Sequence, residues 1–382
     1  MVEYTREEKL HFSNIVSVVS KALKTTTIHV GNRYRKFNFE ITANGVKYHV
    51  KCFSHPSGIP DWAKETYRRS KAVYALGEIA DLPFPRLVAF DDELEILITE
   101  FIEGKGLHEI LLKGEAAEAR KALNLMATSL ADLHGRSAPL REQYRSKLND
   151  FGIRRNTLPN WIQSVNFTEE KIKELVDFGV TSANELAEAM NLLEAYALAS
   201  QFIGIVNSDL CPDNVYLTDD SIKMIDLDTF DFYYFFIDVY YFRARISCWC
   251  VGSLPDQVIG EMEQAYLARL RTYLLISDEE FRLHQLIGAL LWFSVDLCML
   301  VRKVEGQWVL DRNSKWGTAT LRARVFSRYT HLLSLFPKTI PEDLQVPIMK
   351  FKTVIQEVLD VVRTKYKSEQ IPFYPAFDQS TI

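Results

Sequence analysis

Alternating apolar and polar residues near the start of the chain predict a β-hairpin. Apolar side chains occupy every second position over residues 37–41 and again over residues 46–52, as strands with one buried face require. Between the two stretches stands Asn44-Gly45, a pair preferred in two-residue hairpin turns because both positions take a positive φ. The second strand carries Lys51 on the face opposite its apolar residues.

A helix is predicted over residues 61–80, ahead of two further strands at 86–90 and 94–99. Its apolar stripe consists of Ala72, Val73, Leu76 and Ile79. Glu65 lies within about 20° of that stripe on a helical wheel, so its carboxylate faces the packing side. Because an unpaired buried charge is costly, we expect Glu65 to pair with Lys51 on the adjacent strand. With a short first strand near residue 28, the pattern predicts an antiparallel sheet with one helix inserted between its third and fourth strands.

The remainder of the chain is predicted to be mainly helical. Apolar residues recur at helical spacing over residues 123–133. Residues 141–200 are amphipathic around a Pro/Asn-containing loop at 158–160, and helical periodicity dominates from residue 281 to the end. The apolar run 286–301 is short for a membrane span and contains an aspartate. We therefore expect a buried helix there and no stable membrane insertion.

Residues 201–231 interrupt the helices with a polar loop framed by apolar strands. A predicted hairpin follows the loop, so three polar side chains arrive at the same end of it. These side chains are Asp209, Asn214 and Asp226. An Asp, an Asn five residues on and a second Asp twelve residues beyond offer the oxygen ligands that Mg²⁺ prefers. In phosphoryl transfer one Asp orients the attacking hydroxyl, while the Asn and the other Asp hold Mg²⁺ against the phosphates.

The amino-acid composition and net charge of the chain exclude several classes of protein. The 382 residues are 47% hydrophobic and 25% charged, which allows a sizeable core. A formal net charge of −5 argues against a nucleic-acid partner, since phosphate binding needs clustered positive charge. Five scattered cysteines fit a reducing compartment, and Cys248 with Cys250 lacks the second pair that a zinc site requires. With no apolar leader at the N-terminus, we expect a cytoplasmic protein.

Residues 207–226, NSDLCPDNVYLTDDSIKMID, resemble the catalytic loop and metal-binding aspartate of the aminoglycoside phosphotransferase/choline kinase-like superfamily. Lys51 in VKYHVKCF is similar to the strand lysine that contacts the ATP phosphates in that family, and Glu65 is similar to its helix partner. The segment TEFIEG at 99–104 resembles the hinge between the lobes. Asp238 is similar to the family's downstream aspartate, which braces the catalytic loop.

The resemblance implies an α+β, bilobal, protein-kinase-like fold. A small nucleotide-binding lobe would comprise residues 1–103 and end in the hinge, and a larger helical lobe would comprise residues 104–382. The implied cofactors are ATP and Mg²⁺. The implied catalytic residues are Asp209, Asn214 and Asp226. The implied nucleotide contacts are Lys51, Glu65, Glu100 and Ile102, the last two through backbone groups of the hinge. The implied metal ligands are Asn214, Asp226 and Asp228.

Several positions depart from the family's usual pattern. Asn207 stands where the family has a histidine two residues before the catalytic aspartate, Ser208 replaces a glycine, and Cys211 replaces a second histidine. The metal aspartate is followed by Leu227-Asp228. None of these changes removes a carboxylate or the asparagine, so the catalytic set is complete. Asn207 favours the alternative of a pseudokinase-like module that binds ATP or a partner without chemistry.

The segment after Asp226 indicates the class of acceptor. Residues 227–231 lead directly into the aromatic run that contains Asp238, leaving no room for the long activation segment on which protein kinases dock peptides. We therefore expect transfer to a hydroxyl of a small molecule, such as an amino sugar, an antibiotic or a choline-like alcohol. A sugar or lipopolysaccharide kinase is a second alternative. The sequence leaves the identity of the acceptor and the oligomeric state open.

Overall fold

The N-terminal part of the chain forms a five-stranded antiparallel sheet in the order β1-β2-β3-β5-β4. Its strands are β1 Ile28–Arg35, β2 Asn38–Ala43, β3 Val46–Cys52, β4 Leu87–Asp91 and β5 Ile96–Glu100. The predicted hairpin is confirmed, because Asn44 and Gly45 join β2 to β3 with φ of 52° and 78°. The computed structural model describes residues 5–35, 37–153, 167–219, 221–244, 252–316, 319–367 and 369–378.

A helix that the periodicity argument did not identify, α1 Arg6–Ala22, covers one face of this sheet. Thr5 and Glu8 form a capping box at its start, in which each side chain accepts the backbone N–H of the other residue. Apolar side chains of α1 and of the sheet form a cluster separate from the main core, called here the outer cluster. It consists of Ile15, Val19, Phe37, Phe39, Ile41, Val50, Ile96 and Ile98. The opposite face of the sheet, which carries Lys51, is therefore left for the rest of the molecule.

Helix α2, Asp61–Ala80, is inserted between β3 and β4 as predicted. Three residues of the predicted apolar stripe, Ala72, Val73 and Leu76, are fully buried. Ile79 is 61% exposed, so its place in the stripe was wrong. The buried face of the helix ends at Leu76 and does not extend into the last turn.

The C-terminal part is mainly helical. Its helices are α3 Leu107–Lys113, α4 Ala116–Ser137, α5 Arg141–Asp150, α6 Glu169–Phe178, α7 Leu186–Ala199, α8 Phe236–Arg243, α9 Asp256–Leu270, α10 Asp278–Leu300, the single-turn α11 Val309–Arg312, α12 Leu321–Ser334 and α13 Glu342–Lys365. Short strands connect them: β6 Lys105–Gly106, β7 Ile203–Val206, β8 Val215–Leu217, β9 Ile222–Met224, β10 Asp231–Tyr234, β11 Lys303–Val304, β12 Gln307–Trp308, β13 Lys315–Trp316 and β14 Ala319–Thr320. The predicted loop at 158–160 and the pair Cys248 and Cys250 lie outside the described residues.

Helix α10 contains the apolar run noted in the sequence. By length and composition it is the one described helix that could cross a membrane, yet 78% of its apolar window is buried inside the protein. It packs against α8, where Gly288 lies against the backbone of Phe236. A Cβ at position 288 would meet the Phe236 carbonyl, so a close approach of the two elements requires glycine there. The helix thus serves as a core element of the described fold.

Two small sheets hold the polar loop predicted to carry the chemistry. Strand β7 pairs antiparallel with β10, and β8 pairs with β9 and with β6. A short 3-10 helix, Pro212–Asn214, precedes β8, and another, Leu227–Thr229, follows β9. Strand β7 and the β8–β9 hairpin therefore deliver the loop after residue 206 and the segment after residue 225 beside each other.

Candidate active site

A cleft of about 320 Å³ lies between the inner face of the sheet and the β8–β9 hairpin. Most of the residues predicted to bind nucleotide or metal line it. These are Lys51 from β3, Glu100 and Ile102 from the hinge-like segment, and Asn214, Asp226 and Asp228 from the hairpin region. Asp209 and Glu65 are not among the lining residues.

Lys51 lies at the centre of the cleft. On β3 it is paired in register with Leu97 of β5, which fixes its backbone in the middle of the sheet. Its ammonium group contacts the Asp226 carboxylate and lies 2.7 Å from the Asp228 carboxylate. Burial lowers the pKa of Lys51, but the two carboxylates outweigh this and raise the pKa above its ordinary value. Lys51 therefore carries a full positive charge that both aspartates share.

The predicted ion pair between Lys51 and Glu65 is not formed, which corrects that expectation. The Glu65 carboxylate instead accepts hydrogen bonds from Arg69 one turn later, at 3.0 Å from Nε and 2.7 Å from a terminal nitrogen. Helix α2 faces the cleft with Ser70 and Tyr74. Nine residues of helix place Glu65 about 180° from Tyr74, on the other side of the helix. Arg69, four residues later on the same helix, satisfies the Glu65 carboxylate. A helical wheel does not show which part of the buried face lies toward the cleft.

Asp226 occupies an unusual backbone conformation for a residue with a side chain. Its φ of 59° and ψ of 65° are left-handed, and it precedes the 3-10 helix Leu227–Thr229. The preceding residue, Ile225, donates its N–H to the Asn214 carbonyl at 2.9 Å, which ties the two ends of the β8–β9 hairpin together. Through this bond Asn214 and Asp226 share one wall of the cleft, as the sequence predicts.

Asp209 lies in the loop between β7 and the hairpin. Its carbonyl accepts the side-chain amide of Asn214 at 3.3 Å, so the Oδ1 atom of Asn214 is the one left for a ligand. Its N–H lies 3.2 Å from the Asn207 side-chain oxygen, which accepts it. Asn207 is fully buried, and among the residues that the structure describes its other amide atom, Nδ2, meets no hydrogen-bond partner. The side chain that replaces the family's histidine therefore holds the backbone of the predicted catalytic residue.

Asp238 braces this loop from α8, as the resemblance implied. Its carboxylate is fully buried and accepts the N–H groups of Asn207 at 2.7 Å and Ser208 at 2.8 Å. His134 from α4 lies 3.3 Å from the same carboxylate through Nε2, while its Nδ1 is 2.7 Å from the Tyr266 hydroxyl. Burial lowers the pKa of His134, although the neighbouring Asp238 carboxylate opposes this.

Aromatic side chains line the part of the cleft next to the hinge-like segment. Tyr34 and His49 come from the sheet and Tyr216 comes from β8. His49 also contacts the side chain of Asn38. Burial, together with the nearby Lys51 charge, lowers the pKa of His49 to about 4. His49 was not predicted as a site residue, although its alternation with Lys51 on β3 puts both side chains on one face of the sheet.

Between Asp226 and α8 the chain is short and ordered. It passes through the 3-10 helix Leu227–Thr229 and β10 directly into α8 at Phe236. No separate peptide-docking segment is present among residues 221–244, all of which the structure describes.

A model of the phosphotransferase enzyme family matches residues 25–275. The chain belongs to this family. The matched region runs from just before β1 to just beyond α9 and contains the cleft, the loop that carries Asp209 and the β8–β9 hairpin, while α1 precedes it. No curated protein matches the chain significantly.

Solved structures of several kinases and phosphotransferases resemble most of this chain at low sequence identity. The ADP-bound aminoglycoside phosphotransferase APH(2'')-Ib is 13% identical with a TM-score of 0.50, and the match covers 89% of this chain and 99% of that one. A choline kinase from Streptococcus pneumoniae is 15% identical with a TM-score of 0.48, covering 85% and 99%. An ethanolamine kinase from Plasmodium vivax is 12% identical with a TM-score of 0.49, covering 89% and 83%. The likeness to APH(2'')-Ib establishes the fold, a bilobal protein-kinase-like α+β fold, as predicted.

Proposed function

We propose that this chain is an ATP-dependent phosphotransferase that moves the γ-phosphate of Mg·ATP to a hydroxyl group of a small molecule. The observation that carries the proposal is the convergence of Lys51, Asp226 and Asp228 in one cleft beside Asn214. Phosphoryl transfer needs groups that position the phosphates and offset their charge more than it needs covalent chemistry from the protein. Membership of the phosphotransferase family supports the reaction class.

The residues that line the cleft take their roles from their positions there, and Asp209, which does not line it, takes its role from the family resemblance. Lys51 contacts the nucleotide phosphates, and its charge stays on across the physiological pH range because two carboxylates hold it. Asp209 orients the acceptor hydroxyl and accepts its proton. Backbone groups of Glu100 and Ile102 contact the base. Glu65, which we had also assigned to the nucleotide, is held by Arg69 and is not proposed as a contact. We keep residue 103 as the proposed lobe boundary, since β6 immediately afterwards pairs with β8.

The donor set fits Mg²⁺. Carboxylate oxygens of Asp226 and Asp228 both contact the Lys51 ammonium, and Asn214 adds an amide oxygen on the same wall of the cleft. Among the described residues no group of three or more His, Cys, Asp or Glu side chains could hold a metal ion alone. A cation held by two carboxylates and an amide would thus take its remaining ligands from phosphates and water. When bound, Mg²⁺ supplies neutralisation of the phosphate charge.

A small-molecule acceptor is proposed on two grounds. The short path from Asp226 to α8 offers no platform for a peptide, and the solved structure that matches this chain with a TM-score of 0.50 is named as an aminoglycoside phosphotransferase. The alternative of a binding module without chemistry rested on Asn207. Its side chain accepts the Asp209 N–H, which supports a loop arranged for catalysis.

The test compares the wild type with Asp209→Asn and the control Asp219→Asn, an exposed residue in the turn of the same hairpin. We expect Mg-dependent nucleotide binding in all three and at least about a hundredfold lower turnover in Asp209→Asn alone. Acceptors are screened among amino sugars, choline-like alcohols, nucleosides and macrolides with labelled ATP. Absence of Mg-dependent nucleotide affinity in the wild type would reject the proposal. Transfer to generic proteins and to no small molecule would reject the acceptor class.

A further inference from the structure

A polar group of four side chains, three of them buried, joins helix α2 to the segment that carries Asp226 and Asp228. This polar node consists of Glu65, Arg69, Tyr144 and Asp231. Arg69 donates to Glu65 on its own helix and forms an ion pair with Asp231 at the start of β10. Tyr144 of α5 donates its hydroxyl to the same aspartate at 2.9 Å. Three elements that are distant in sequence, α2, α5 and β10, therefore meet at one carboxylate.

Three members of the polar node, Arg69, Asp231 and Tyr144, are closed to solvent, whereas the Glu65 side chain is 36% exposed. Arg69 is 4% exposed, Asp231 5% and Tyr144 2%. One oxygen of Asp231 accepts both the Tyr144 hydroxyl and the N–H of Phe232 at 2.7 Å, and the other accepts Arg69. A buried ion pair is tolerated only when its geometry is good and its remaining hydrogen-bonding capacity is satisfied. Such a pair fixes relative positions more than it adds net stability, because desolvation offsets much of the attraction.

The polar node lies next to the residues of the proposed reaction. Asp231 is five residues after Asp226, and in the β7–β10 ladder it stands opposite Val206, which immediately precedes the catalytic loop. The residue after Arg69, Ser70, donates its hydroxyl to the Leu227 carbonyl at 3.3 Å and also lines the cleft. Helix α2 thus holds the segment that carries Asp226 and Asp228 at both of its ends.

This connection replaces the one expected from sequence. Lys51 pairs with Asp226 and Asp228, so no ion pair between Lys51 and Glu65 sets the position of α2 against the sheet. Glu65 instead orients the Arg69 guanidinium from one side while Asp231 binds it from the other. The position of α2 is consequently set by its contact with Asp231 in the C-terminal lobe.

We propose that Arg69 and Asp231 are positioning residues for phosphoryl transfer: their buried pair fixes helix α2 on residues 226–231 and so sets where Asp226 and Asp228 meet Lys51. The proposal rests on the proposed function for its catalytic readout. Neither residue lines the cleft, and both act through the segment they hold.

The experiment separates positioning from simple stabilisation. The double variant Arg69→Met with Asp231→Leu removes both charges and leaves no buried charge behind, whereas Tyr144→Phe removes one hydrogen bond and keeps the ring. The matched control is Arg120→Met with Glu261→Leu, an ion pair between α4 and α9 away from the cleft. The readouts are the urea midpoint, amide hydrogen exchange of peptides covering residues 222–235 in the chain without nucleotide, and kcat and KM for Mg·ATP.

We expect the double variant to unfold at a moderately lower urea midpoint, because the Tyr144 hydroxyl and the Phe232 N–H lose their acceptor. At urea concentrations where it is folded, it should exchange faster in residues 222–235 and lose about 10- to 100-fold in kcat with a small change in KM. Tyr144→Phe should show a smaller change of the same kind, and the control should show none. The proposal would be overturned if hydrogen exchange and kcat were the same as in the wild type, both in Tyr144→Phe and in a double variant that folds. A wild type without nucleotide affinity would reject the proposed function, while the exchange comparison would still decide the role of the polar node.

Discussion

Replacing Asp238 by Asn tests how the catalytic loop is held. The carboxylate is fully buried and accepts two backbone N–H groups, from Asn207 at 2.7 Å and Ser208 at 2.8 Å, with His134 as a third neighbour. A hydrogen bond to a charged group contributes about 1.5–3 kcal/mol to stability. Asn keeps one acceptor oxygen but turns an NH₂ group toward the second N–H, so one such bond is lost and two donors face each other. We expect a loss of about 3 kcal/mol in the free energy of unfolding.

The assay pairs urea denaturation with turnover of Mg·ATP. The control is Asp360→Asn, whose side chain is 60% exposed and lies 3.6 Å from Arg363, and its effect should stay within about 0.5 kcal/mol. Because Asp238 holds the two residues that precede Asp209, kcat should fall in Asp238→Asn even at urea concentrations where the variant is folded. A variant that unfolds within about 0.5 kcal/mol of the wild type would refute the reasoning that the buried charge holds the loop.

Three further outcomes are expected. Asn207→Ala should lower kcat about tenfold with little change in the KM for ATP, and equal effects from Asn124→Ala, a remote amide, would argue against a specific role. His49 and His284 each have a pKa of about 4, against an ordinary 6.5, because burial disfavours the charged ring. The unfolded chain takes up these protons first as pH falls, so stability should decline from about pH 6.5 to pH 4, and urea midpoints across that range measure it. Gly288→Ala should cost about 1–3 kcal/mol, read as a lower melting temperature, because its Cβ meets the Phe236 carbonyl.

Local sequence patterns were sufficient to predict those elements whose structure depends on neighbouring residues in the chain. The Asn44-Gly45 turn, the alternation that places Lys51 on the inner face, and the spacing of Asp209, Asn214 and Asp226 all act over a few residues. The roles of those site residues stay predictions until they are measured. The strand, hairpin and inserted helix of the N-terminal lobe are confirmed.

The partner of Glu65 could not be predicted in the same way. In the structure, Asp226 and Asp228 bind Lys51, and Asp231, 162 residues along the chain from Arg69, binds Arg69. A helical wheel gives the direction of a side chain relative to its neighbours, and it says nothing about which distant element fills that direction. Helix α1 did have a local signal, since Thr5 and Glu8 have the spacing of a capping box.

The separate outer cluster divides the N-terminal lobe into two layers that we expect to unfold at different temperatures. Among the described residues, helix α1 and the outer face of the sheet form an apolar cluster separate from the main core, so α1 can detach from that face at a lower free energy than global unfolding. A nucleotide bound in the cleft, as proposed, would contact the other face of the sheet and would stabilise only those states in which that face is intact. Ligand would therefore raise the final melting transition while leaving the early opening of α1 almost unchanged, and the gap between the two transitions would widen with nucleotide concentration.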